Sequence, residues 1–182
     1  VSEPPYGDVS LIASATRMLL AGDGSTTLLL EALLDAPLTV HVERQERVPV
    51  RELSATAVRA LGLPADGTAV RRSSVLRTPE GRAVSRNTVV FTAPPAAWSG
   101  SAEDPAPLGL RLRQGRTRQH REILSSGTGE WPEDGRPRPC AYKEYVITCD
   151  DGVRLYVHER FSPDLVRPLP DAGRDDPLPR TG

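Results

Sequence analysis

Apolar residues recur three and four apart along "LIASATRMLLAG", residues 11–22, and again along "GDGSTTLLLEALLDAP", residues 22–37. That spacing predicts two amphipathic helices, the second beginning near Ser25, capped by Asp23 or Ser25 and stopped by Pro37. The period then changes. "LTVHVERQERVPV" alternates as a strand does, and "SATAVRALGLP" supplies a short helix with Ser54 as its cap and "GLP" as its end. "TAVRRSSVLRT" and "AVSRNTVVFTA" flank the turn "PEG", while "KEYVITC" and "VRLYVHERF" flank "DDG", so two hairpins are expected. Between the hairpins, "GLRLRQGRTRQHREILSS" mixes short helical and strand signals. The Gly- and Pro-rich residues 125–143 read as a long loop, either disordered or a lid, with Trp131 its one large aromatic. Residues 1–8 and 166–182 are too poor in apolar content to pack and read as flexible tails around a single domain at 9–165. The expected fold class is α+β: an antiparallel sheet of about five or six strands with helices on one side.

Alternation also says which side chains point inward. In "RLYVHERF" Leu155, Val157, Glu159 and Phe161 share a face, so a carboxylate stands among apolar residues. In "AVRRSSVL" Arg72 shares its face with Val70 and Leu76, while Arg71 points the other way. In "AVSRNTVVF" Asn87 looks inward with Val89 and Phe91, and Arg82, Arg86 and Thr88 look outward with Val84 and Val90. An inward Arg, Asn and Glu on hairpins of one sheet form a polar island in an apolar interior. Two readings follow: a small-molecule site, or an Arg72–Glu159 ion pair completed by Asn87. In the first, the guanidinium grips a carboxylate through two parallel bonds, which suggests an anionic ligand.

Composition narrows the function classes. The 182 residues carry a formal net charge of -1, which gives no strong pull on nucleic acid, and the most apolar region, residues 11–34, is broken by Arg17 and "GDGS" and is unsuited to a bilayer. No signal peptide is visible in "VSEPPYGDV", so a cytoplasmic setting and a monomer are the defaults. Cys140 and Cys149 read as free thiols, and His41, His120 and His158 form no ligand motif, so no metal is expected.

Four segments in order resemble the chorismate lyase family: "LLAGDGSTTLLLEALLDAPLTV", "RRSSVLRTPEGRAVSRNTVV", "PLGLRLRQGRTRQHREI" and "YVITCDDGVRLYVHERF". The resemblance implies a lyase that splits chorismate into 4-hydroxybenzoate and pyruvate without a cofactor. It implies that Arg72 holds the ring carboxylate, helped by the backbone amides of Leu108 and Gly109, and that Glu159 contacts the ring hydroxyl and helps move the proton. Thr27 at the helix opening joins the implied substrate-binding set. The ubiquinone branch of the family carries Gly then Arg on the second hairpin strand, where this chain has Arg86 then Asn87. Arg121 replaces the missing inward cation, or else closes the neighbouring helix. Two alternatives stand beside the lyase. One is a non-catalytic effector-type domain sharing the fold, although the short N-terminal tail leaves no room for the winged helix that accompanies such domains. The other is an enzyme for another cyclic or aromatic intermediate.

Overall fold

The computed structural model describes residues 11–95, 118–132 and 136–169. Its elements are α1 (Leu11–Ala21), α2 (Thr26–Leu34), β1 (Thr39–Pro49), α3 (Ala55–Leu61), β2 (Thr68–Arg77), β3 (Ala83–Phe91), β4 (Gln119–Trp131), β5 (Arg138–Cys149) and β6 (Arg154–Phe161), with a single 3₁₀ turn at Val50–Glu52. Local chemistry sets the ends. Ser54 accepts a hydrogen bond from the Ala57 amide at the start of α3, and Gly62 closes that helix at φ 63, a conformation glycine adopts without strain. The two hairpin turns likewise place Gly81 and Gly152 at positive φ.

The described strands form one antiparallel sheet in the order β1-β2-β3-β6-β5-β4. The chain therefore inserts its last strand, β6, between β3 and β5. That places Glu159 centrally, paired with Asn87 on one side and Lys143 on the other. Helices α1 and α2 pack Leu19, Leu20 and Leu30 against Val40, Leu76 and Phe161. Burial of this kind contributes about 1.5–3 kcal/mol per large side chain.

Three sequence expectations are corrected. Residues 125–143 are not a long loop: β4 and β5 run through them as a hairpin, and Trp131 is buried at the end of β4. The glycines that suggested a loop serve strand packing. A Cβ at Gly127 or Gly129 would lie 3.4 or 3.3 Å from the Tyr142 side chain on the neighbouring strand, so the edge strand stays bare where the ring sits. The ordered fold also continues past 165. Val166 is buried at 2% exposure, and Thr16 and Thr128 donate to the carbonyls of Arg167 and Leu169. The N-terminal tail, 1–8, and the rest of the C-terminal one, 170–182, lie outside the described residues.

The helices, finally, are not all on one side. Ala57 of α3 packs with Ala69, Val90 and Tyr156, whose side chains leave the sheet opposite to Arg72 and Val157. Val84, expected to face outward, is instead fully buried in the α1–α2 cluster with Leu76 and Phe161, and Val90, also expected outward, is buried at 2% exposure on the α3 side. With helices on both faces, outward from one face is inward to another layer. No helix among the described residues is long and apolar enough to cross a membrane.

Candidate functional site

The polar residues that alternation turned inward line one cavity. Arg72, Asn87, Glu159, Arg121 and Thr27 surround it together with Ser25, Thr26 and Ser74, over a floor of Val89, Tyr145, Ile147 and Val157. Leu108 and Gly109, whose amides the family resemblance added, lie outside the described residues. Strand register explains the gathering. Ser74, Asn87, Glu159 and Lys143 stand abreast on β2, β3, β6 and β5, and Arg72, Val89, Val157 and Tyr145 form the next row. The cavity is partly open, and its space reachable by the centre of a water molecule is about 50 Å³, room for roughly three to five waters.

Arg72 is buried at 5% exposure, as its position predicts, whereas Arg71 on the other face pairs with Glu46 at 2.8 Å. The Arg72 Nη1 donates to Gln45 Oε1 at 3.4 Å. A bulge in β1 between Val42 and Arg44 makes this contact, because it shifts the alternation and brings Gln45 opposite Arg72. One strand, β3, separates β2 from β6, which sets the two backbones about 10 Å apart, and Glu159 stands one row along the sheet from Arg72. The cations that act most on Glu159 are Lys143 and Arg121, not Arg72.

Glu159 is buried at 6% exposure, and its Oε2 has no hydrogen-bond partner. Burial pushes the carboxyl above its ordinary range, against the opposing pull of Lys143 and Arg121. The hydroxyls of Thr26 and Tyr145 lie near it and favour its charged form, but neither reaches Oε2 in hydrogen-bonding geometry. Thr26 Oγ1 and Asn87 Oδ1 are likewise buried without a partner. Three residues lining the same cavity therefore carry a buried polar atom without a protein partner, each at a cost that a folded protein ordinarily avoids.

Alternation along "KEYVITC" puts Lys143, Tyr145 and Ile147 on one inward face, yet the loop reading of 125–143 obscured Lys143. In the structure it is buried at 1% exposure and donates to Leu19 O and Gly22 O, at 3.0 Å each. Burial lowers its pKa, and Glu159 beside it raises it. Arg121 lines the cavity and donates to Gly24 O in the loop that opens α2. Ser25 caps α2 without a side-chain hydrogen bond, so the positive end of that helix is presented beside Thr26 and Thr27 at the cavity wall. His158 points to the opposite face, edge-on to Tyr142 with ring centroids 5.7 Å apart.

No protein-family model and no curated protein matches the chain. Solved structures do. PhnF from Mycobacterium smegmatis superposes with a TM-score of 0.57 at 18% identity, over 80% of this chain and 67% of PhnF. The effector domain of PhnF alone gives a TM-score of 0.56 at 18% identity, over 79% of this chain and 91% of that domain. The ligand-binding domain of a protein classed as a GntR-family transcriptional regulator, from Bordetella bronchiseptica, gives 0.51 at 14% identity, over 73% and 89% of the two chains. This chain thus shares the α+β fold of such effector domains and spans about two thirds of a full-length regulator. The expectation of an enzyme is corrected here. The Bordetella structure is the ligand-binding domain of a transcriptional regulator and the matching part of PhnF an effector domain, so the lyase, with chorismate as its substrate, is withdrawn and only the chorismate lyase-like fold is retained.

Proposed function

We propose that this chain is a small-molecule-binding domain of the effector type, whose ligand carries an anionic group and a hydrogen-bond donor a few atoms apart. The observation that carries this reading is that Glu159 Oε2, Asn87 Oδ1 and Thr26 Oγ1, all buried and unpartnered, belong to residues lining one cavity with Arg72 and Arg121. A ligand donor placed there relieves the cost of leaving those atoms unpaired, so the site favours ligands that can donate. Arg72 and the N-terminus of α2 supply positive potential for the anionic group. Similarity of fold to the PhnF effector domain supports binding without turnover.

The test is thermal denaturation of the full chain against a panel of small hydroxy- and amino-carboxylates. A matching ligand at a hundred times its Kd adds about 2.7 kcal/mol, or roughly 5–10 °C in Tm for a domain of this size. Arg72→Met and Asn87→Leu should each abolish the rise. A panel that leaves Tm unchanged throughout, or a rise that survives Arg72→Met, overturns the reading.

A further inference from the structure

The corner between α1 and α2 is held by the cations that flank the cavity. Lys143 Nζ donates to Leu19 O and Gly22 O, and Arg121 Nη1 donates to Gly24 O. The carbonyls at the end of a helix lack intrahelical partners and attract cations, so these bonds tie down the last turn of α1. The chain then runs directly into Ser25, Thr26 and Thr27, which form one wall of the cavity. Lys143 also pairs in register with Glu159, whose free Oε2 belongs to the same cavity. One ammonium thus stabilises both a helix end and the carboxylate of the candidate site. The corner is a wall of the cavity that side chains hold in place.

We propose that the α1–α2 corner, residues 19–27, responds to occupancy of the cavity, with Lys143 as the positioning residue that couples Glu159 to the end of α1. A cationic ligand group or a proton on Glu159 cancels the field that keeps the buried ammonium charged, and the charge-assisted bonds to Leu19 O and Gly22 O weaken. The groups facing Glu159 are Lys143 and Tyr145 from β5, Arg121 from β4, Thr26 from α2 and Asn87 from β3. Asp23 and Arg121 also act on Lys143, in opposite directions. The inference deepens the small-molecule reading, but its test uses no ligand, so either can fail without the other.

The experiment is amide hydrogen exchange on the full chain. It compares the last turn of α1, including the Gly22 amide that donates to Met18 O, with α3 on the opposite face. Glu159→Gln should speed exchange at the end of α1 about tenfold, equivalent to about 1.4 kcal/mol, with no matching acceleration in α3. Unchanged exchange at the end of α1, or equal acceleration in both helices, overturns the coupling. Should that variant not fold, the same ratio is followed in the wild-type chain as pH falls. The α1-to-α3 ratio should rise as Glu159 takes up its proton, and a flat ratio refutes the proposal, because a merely structural Lys143 has no reason to follow that titration.

Discussion

Replacing Glu159 by Gln should stabilise the fold at neutral pH. The carboxylate sits at 6% exposure with one oxygen unpartnered, and burial outweighs every favourable neighbour in setting its pKa. Its desolvation costs several kcal/mol, while Lys143 on the adjacent strand and Arg121 return about 4 kcal/mol each at most under an effective dielectric of 20. Because the pKa moves upward, the balance is a net cost to the charged form, about 1.4 kcal/mol per pKa unit. Glu159→Gln removes that cost, and its amide can donate to the unpartnered Asn87 Oδ1 or Thr26 Oγ1. The expected net effect is a higher urea midpoint at pH 7, reduced by whatever Glu159→Gln takes from the Lys143 bonds at the end of α1. The pH dependence has a definite sign. Above the unfolded carboxyl's value of 4.5 the folded chain retains a proton that the unfolded chain has released. Wild-type stability is therefore whole below 4.5 and falls as pH rises toward the folded pKa. The wild-type and variant curves should meet in acid and separate above it. A variant less stable than wild type at pH 7, or two parallel curves, would mean that Glu159 is a structural ion-pair partner. A stabilising substitution at a buried carboxylate is the usual sign of a residue kept for function.

Lys143→Met should do the opposite and lower unfolding free energy by about 3–5 kcal/mol, since it leaves two helix-end carbonyls and a buried carboxylate without their cation. A chemical-denaturation loss below about 1 kcal/mol would show that the ammonium holds nothing. Gly129→Ala should press a methyl to about 3.3 Å from the Tyr142 ring and make that ring shift by a few tenths of an ångström, read as a changed Tyr142 ring environment by NMR. An unchanged ring environment would show that the glycine is not needed for the approach of Tyr142.

Residues whose role depends on neighbours within their own strand were legible from the order of amino acids. Arg72, Asn87 and Glu159 fall inward because side chains alternate, and the α3 cap and hairpin turns follow from Ser54, Gly62, Gly81 and Gly152 in the same local way. Lys143 was reachable by the same rule but was hidden by the nearby glycines and prolines. Those glycines mark the approach of a tyrosine ring from the next strand, a fact that lies twelve or more residues away along the chain.

The sequence by itself determined which side chains turn inward and that they include a cation, an amide and an acid, since a period of two needs no knowledge of the partner strand. Only the tertiary structure decided what each of them meets. The β1 bulge brings Gln45 to Arg72, and insertion of β6 between β3 and β5 gives Glu159 Lys143 as its neighbour, while α3 buries the face that had looked exposed. Those outcomes depend on strand order and register, which are set by long-range pairing and by packing on both faces of the sheet.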